Sequence, residues 1–132
     1  MLFRSLKELP CKTNVIDCPP GSACSVMESI KDADFCVLVA EPTVFGVHNF
    51  KMVYELVQIL NKPFGVVMNK VGDNDNPMEK LCQELDLPVL GRIPFNRDIA
   101  ARNASGKIAY ETNGMAKKIF DRLYKKISEV VK

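Results

Sequence analysis

Val15-Ile16-Asp17-Cys18-Pro19-Pro20-Gly21 is the stretch whose reading decides the fold. Val15 and Ile16 are β-branched and suit a strand buried in a sheet. Asp17 falls where that strand ends, because the two prolines remove ladder donors and forbid continuation. Gly21 allows a backbone conformation, and an approach to a ligand, that a side chain would block. Residues 13–17 therefore read as a strand followed by a rigid turn. A carboxylate at the tip of a buried strand, ahead of a glycine-containing loop, is how nucleoside triphosphatases hold Mg²⁺ and sense the terminal phosphate. Asp17 alone also fits a solvated strand end. The features downstream decide between the two.

Upstream, Leu2, Phe3, Leu6 and Leu9 recur at near-helical spacing. Residues 1–12 read as a short amphipathic helix, the tail of a missing upstream segment, ahead of a single α/β domain over residues 13–132. Residues 23–31 suit a short helix with Ser22 as its N-cap. Residues 35–40 are a continuous apolar run, as expected of a strand buried on both faces, and Glu41-Pro42-Thr43 closes it. Val47, Phe50, Val53, Tyr54, Val57 and Leu60 predict an amphipathic helix over residues 46–61, barred from extending by Pro63. Residues 64–69 form the third strand. Asn76-Pro77-Met78-Glu79 is a helix start with Asn as cap, and Leu81, Cys82 and Leu85 give that helix its buried stripe. Residues 88–93 are the fourth strand, stopped by Pro94. Asn96 caps a short helix through Ala104, which Gly106 ends. Ala116, Ile119, Phe120, Leu123, Ile127 and Val130 make the last helix strongly amphipathic.

Strands and helices thus alternate, and the strands read as two-sided buried runs. A doubly wound parallel sheet of four strands follows, with right-handed crossovers and helices on both faces. Ligands of such sheets bind beyond the C-terminal strand edges. Here those edges carry Asp17, Glu41, Asn69 and Pro94.

Composition narrows the options. A chain of 132 residues with 47% hydrophobic content fits one domain that buries roughly two-thirds of its unfolded surface. The net charge is +2 with both signs scattered, which implies neither a nucleic-acid nor an anionic-membrane partner. The longest apolar stretch, residues 35–40, is too short to span a bilayer, and the N-terminus lacks the features of a secretory signal. A cytoplasmic protein is the expectation. The five cysteines, Cys11, Cys18, Cys24, Cys36 and Cys82, form no C-x-x-C pair, and reduced thiols are expected. Cys36 reads as a small core hydrophobe. Cys18 and Cys24 flank the Pro-Pro-Gly turn, but their spacing matches no recognised pattern for metal or cluster ligands. His48 reads as a helix-surface residue.

Two nucleotide chemistries compete. A GTPase-like domain wants Asp-x-x-Gly at the first tip and Asn-Lys-x-Asp after the third. Asp17-Cys18-Pro19-Pro20-Gly21 is one residue longer, and after Asn69-Lys70-Val71-Gly72 the carboxylate of Asp73 comes one position too late. Guanine is disfavoured. The Asn69 amide can both donate to and accept from an adenine edge, or it can simply cap its own turn.

With those residues in hand, the chain resembles the C-terminal half of a MinD/ParA-type ATPase. The resemblance rests on Val15 to Gly21, on Asp34-Phe35-Cys36-Val37-Leu38-Val39-Ala40-Glu41-Pro42-Thr43, on Phe64-Gly65-Val66-Val67-Met68-Asn69-Lys70 and on Leu90-Gly91-Arg92-Ile93-Pro94-Phe95. It is closest to the branch that carries a ferredoxin-like iron–sulfur insertion. It implies a P-loop NTPase fold of the deviant Walker A class, acting on ATP with Mg²⁺ as an ATP-sandwiched homodimer. Asp17 would be the Walker B-type acid, holding Mg²⁺ through water. Gly21 would offer its N–H to the terminal phosphate and, with Pro19 and Pro20, form the switch that moves on hydrolysis. Asn69 would recognise adenine, and Pro94 and Phe95 would line the base pocket. Glu41, Pro42 and Thr43 match the branch's strand-end signature.

One departure is large. The family's Lys-Gly-Gly-x-Gly-Lys-Thr/Ser phosphate loop is absent. Gly106-Lys107 is followed by Ile108 and has Ala101 where a first glycine belongs, so it reads as a surface turn. The switch I segment and the cluster-binding cysteines of the insertion are missing too, which places any iron–sulfur cluster in the missing segment. Without a backbone cradle and its Lys, ATP binding should be weak and hydrolysis negligible. A missing N-terminal half or a homodimer partner would have to complete the site. The expected fold is therefore incomplete, lacking the phosphate-loop strand that the family places between the strand ending at Asp17 and the strand ending at Ala40. That loss should leave a gap, re-pairing, or an edge needing cover. The competing readings are a non-catalytic interaction module derived from this fold, and a cluster or metal binder through Cys11, Cys18 and Cys24.

Overall fold

Gly65, Val66, Val67 and Met68 are buried in succession, which requires cover on both faces, and they make Phe64–Val71 (β2) the central strand. The computed structural model describes residues 13–21 and 24–131; the helix expected over residues 1–12, Cys11 and the Ser22 cap lie outside the described residues. Cys36–Ala40 (β1) pairs with one side of β2 and Val89–Pro94 (β3) with the other, both parallel, giving the order β1-β2-β3. Leu38 lies opposite Val66, and Val66 opposite Val89.

The helices are Cys24–Lys31 (α1), Val44–Ile59 (α2), Pro77–Glu84 (α3), Arg97–Ala104 (α4), Ala109–Thr112 (α5) and Gly114–Val131 (α6). α2 links β1 to β2 and α3 links β2 to β3. Their residues Phe50, Leu56, Val57, Met78, Leu81 and Cys82 join Val26 and Ile30 of α1 against Cys36, Leu38, Ala40, Val66 and Met68. Pleating sends Val67 to the opposite face. Gly91 is the register partner of Val67, and a Cβ on Gly91 would meet Leu123 at 3.4 Å, so α6 covers that second face over β3. Helices thus flank both faces of a parallel sheet, as the alternation predicts. Among the described residues no helix is long and apolar enough to cross a membrane.

The punctuation follows the residues. Thr43 caps α2, its hydroxyl accepting from the Gly46 N–H at 2.9 Å. Asn76 caps α3 ahead of Pro77, accepting from the Glu79 N–H at 3.0 Å. Asn96 caps α4 through the N–H groups of Asp98 and Ile99. α5 is a four-residue turn too short to carry a period of its own, so the pattern does not announce it.

Two expectations need correction. Residues 13–17 are not a strand, and among the described residues the sheet has three strands rather than four. Val15 is 90% exposed, because a strand exists only against a neighbour and none of the described strands reaches it. β1 is buried on one face only: Cys36, Leu38 and Ala40 are inside, whereas Val37 and Val39 face out. Smaller shifts accompany these. β2 runs two residues past Asn69, and Pro94, expected to stop β3, is its last paired residue.

Gly46 is held by a close approach, since a Cβ there would lie 2.2 Å from the Glu41 carbonyl oxygen. Gly46→Ala is expected to cost about 1–3 kcal/mol and lower the melting temperature by several degrees. Gly114→Ala, which meets nothing within 4 Å, should melt at or slightly above the wild type in the same circular-dichroism scan.

Glu79 of α3 accepts from Arg92 of β3, Oε2 from Nε at 2.8 Å and Oε1 from Nη2. Those hydrogen bonds hold the Glu79 carboxyl below its usual range. A carboxyl depressed in the folded state adds stability above its unfolded value, ~4.3, and loses it as pH falls through the folded value. The pair is largely exposed, so the loss is about 0.2–1 kcal/mol. In denaturant titrations below pH ~4.3, Glu79→Gln should show a flatter decline in stability than the wild type.

Candidate functional site at the strand tips

β2 and β3 are out of step by one residue at their C-terminal ends. Met68 pairs with Arg92 and Val71 with Pro94, so β2 spends an extra residue between these partners. Such a bulge bends the strand and re-aims the side chains within it. Asn69 and Lys70 occupy it. Lys70 takes the left-handed conformation, φ 55°, that the extra residue demands.

The bulge sets three contacts. Asn69 Oδ1 accepts from the Lys70 N–H at 3.0 Å, so the amide oxygen caps its own turn. Among the described residues nothing accepts from the Asn69 Nδ2 group. The Lys70 ammonium donates to Glu41 Oε1 at 2.7 Å, tying the tip of β2 to the tip of β1. The Phe95 N–H donates to the Val71 carbonyl at 2.8 Å, which carries Pro94 and Phe95 out beside the bulge. The Phe95 ring is 56% exposed, an open apolar wall. Asn69, Pro94 and Phe95 therefore share one end of the sheet, and Glu41 and Lys70 extend that end toward β1.

Asp17, Pro19, Pro20 and Gly21 are all exposed and belong to no sheet element. Gly21 has φ 100°, a conformation that side chains resist, as expected of this turn. Among the described residues the Asp17 carboxylate has no hydrogen-bond or ion-pair partner. Cys18 and Cys24 are exposed free thiols; Cys36 and Cys82 are buried, and burial pushes both of these thiols up. Among the described residues no three His, Cys, Asp or Glu side chains converge to hold a metal ion. His48 is exposed on α2.

The fit to a Mg²⁺-bound nucleotide is partial. An unpartnered carboxylate suits metal-bound water, and an amide with free hydrogens and an exposed ring at the same sheet end suit a purine. No lysine-bearing glycine loop is present for the phosphates. The Glu41–Lys70 pair escaped the sequence reading. Its signal was there: opposite charges leave adjacent parallel strands at nearly level positions, since Ala40 pairs with Met68. The left-handed lysine that brings them together had no signal. A separate groove of about 880 Å³ lies between α4, α5 and α6, lined by Ile99, Ile108, Phe120, Tyr124 and Ile127 among others, and includes none of the strand-tip residues.

No protein-family model matches the chain. In sequence it is similar to the iron–sulfur cluster carrier protein of Methanocaldococcus jannaschii, 35% identical over 109 residues, covering 70% of this chain and 37% of that one. It is also similar to an uncharacterised ATP-binding protein of that organism, 29% identical over 113 residues, covering 81% and 44%. In structure it matches the cell division ATPase MinD of Pyrococcus furiosus with a TM-score of 0.71 at 24% identity, covering 86% of this chain and 50% of MinD. The chain spans less than half the length of the curated relatives it matches.

The bulge is testable through Lys70. A β-branched residue resists positive φ, so Lys70→Val should destabilise by about 1–2 kcal/mol. Lys70→Gly loses an exposed ion pair but relieves the backbone, and should stay within about 1 kcal/mol of the wild type. Equal losses in both variants, measured by urea denaturation, would show that the ion pair rather than the backbone governs the tip.

Proposed function

We propose that this chain, whose fold is that of the MinD ATPases, is a MinD/ParA-type segment and the C-terminal part of an ATP-binding protein, inactive until a phosphate-loop half joins it. The observation that carries the reading is the bulged tip of β2. It supports the reading because Asn69 lies in the bulge and Pro94 and Phe95 leave β3 at the same end of the sheet, where doubly wound folds take their ligands.

Each residue then has a role. Asn69 donates from Nδ2 to an adenine ring nitrogen, and its Oδ1 is able to leave the Lys70 N–H to accept from the amino group. Pro94 and Phe95 cover the base. Asp17 accepts from water in the Mg²⁺ shell and so fixes the metal's place. Gly21 offers its N–H to the terminal phosphate, and Pro19 and Pro20 stiffen the turn that reports whether that phosphate is there. Mg²⁺, when bound, supplies charge neutralisation at the phosphates. The β- and γ-phosphate cradle comes from the other half, and a homodimer closing over ATP is the proposed active form. Likeness to an iron–sulfur cluster carrier supports a cluster-linked task for the whole protein, with clusters held outside this chain. A second reading, a non-catalytic interaction module, draws support from the apolar groove between α4 and α6, where Ile108 and Tyr124 stand exposed.

Titration calorimetry separates the two. The chain alone should bind Mg²⁺-ATP in the millimolar range or weaker, about −4 kcal/mol or less favourable. Addition of the uncovered part of the carrier relative should restore saturable binding and turnover. In that complex Asn69→Ala is expected to weaken ATP about tenfold, ~1.4 kcal/mol, and Asp17→Asn to abolish turnover while leaving binding measurable. Absence of nucleotide binding in either arrangement would favour the interaction module.

A further inference from the structure

α2 turns Phe50, Leu56 and Val57 into the core, yet its outward face is not the polar face that a surface helix usually shows. Phe45 is 72% exposed, Met52 38% and Ile59 77%. These three stand seven residues apart along the helix. At 3.6 residues per turn a spacing of seven drifts by only about 20°, so they form one apolar stripe, roughly 21 Å long at 1.5 Å per residue. A stripe at that period is the seam along which two helices pack.

The same period holds beside the seam. His48 and Glu55 are also seven residues apart, and both are exposed. They lie on one flank, about 40° and 60° round the helix from Met52, whereas Lys51 stands about 100° round and clear of the stripe. Among the described residues neither His48 nor Glu55 has a hydrogen-bond or ion-pair partner.

This pattern is complementary to itself. A twofold axis crossing the seam at Met52 runs a second helix antiparallel and keeps each flank on its own side. Phe45 then meets Ile59 of the second copy at both ends, and Met52 meets its counterpart on the axis. His48 of each copy comes within one residue's rise of Glu55 of the other, so an imidazole N–H faces a carboxylate twice. Parallel pairing would put the two charged flanks on opposite sides of the seam and leave Glu55 without a partner.

We infer that the outer face of α2 docks a second copy of this chain by twofold antiparallel pairing. The contact needs no nucleotide and does not rest on the functional reading above. It also differs from a homodimer closed over ATP, because α2 begins at the strand tips and its seam runs back toward the other end of the sheet. One helix from each copy makes an interface at the small end of the specific range, so the dissociation constant should be about 10–100 µM.

The test is sedimentation equilibrium of the full chain without nucleotide, from about 5 µM to about 1 mM. Dimer should grow with concentration, and the Met52 methyl resonance should shift in step with it. Met52→Glu sets two carboxylates against each other on the axis and should weaken association roughly thirtyfold or more. His48→Glu should weaken it about tenfold, and adding Glu55→Lys to that variant should recover most of the loss. All of these side chains face outward, so the circular dichroism of each variant should match the parent and separate lost association from lost folding. A chain that stays monomeric across the range, or a dimer indifferent to Met52→Glu, would overturn the inference. Association that appears only with Mg²⁺-ATP would move the contact to the strand tips and overturn it too. So would a Met52 methyl that shifts only when the uncovered part of the M. jannaschii carrier protein is added, which would assign the seam to another polypeptide.

Discussion

Burial of β2 on both faces is the constraint on which the rest depends. Val66 and Met68 look toward α2 and α3, while Val67 looks toward the α6 side, and all three are essentially inaccessible. At roughly 25 cal/mol per Å² of apolar surface, such residues supply much of the drive to fold. They also settle the topology. A strand apolar on both faces needs two helical layers, and parallel neighbours need crossover helices to reach them. Gly65 belongs to the same logic, since a side chain there would collide with Leu90.

The layer arrangement leaves the C-terminal strand ends free to be polar. Inside the sheet the backbone groups satisfy one another, so polar side chains have no work until the ladder stops. Where it stops, a one-residue surplus in β2 turns Lys70 into the left-handed region and carries its ammonium across to Glu41. The same surplus sets Asn69 beside the segment that leads from Pro94 into the Asn96 cap of α4. Asp98, in the first turn of that helix, accepts from Arg102 at 2.7 Å and from Asn113 at 2.6 Å, tying α4 to the start of α6. The wall that Phe95 presents is thus fixed on both sides, by β3 and by α4.

An unfinished sheet accounts for what is unusual about this molecule. Among the described residues β1 is covered on one face and paired on one edge, and the seven residues from Val15 to Gly21 join no sheet. The apolar exposure at Val15, Val37 and Val39 falls where no described strand pairs with the chain. Apolar exposure near α6 is separate, because Ile108 and Tyr124 line a groove between helices that the sheet does not reach.

How much was legible from residues alone follows the range of the forces involved. Helix caps at Asn76 and Asn96 are local hydrogen bonds between neighbours in sequence, and the apolar runs of β1, β2 and β3 are patterns within a few residues. The sequence by itself determined these elements, their parallel alignment, and the placing of Asn69 and Pro94 near the strand ends. Pairing is different, because a strand's existence depends on a neighbour that can be far away or on another polypeptide. Only the tertiary structure decided that residues 13–17 stay outside the sheet and that β1 is bare on one face. It also decided that a bulge joins Lys70 to Glu41: register is fixed by how two strands pack against shared helices, and no single strand encodes it.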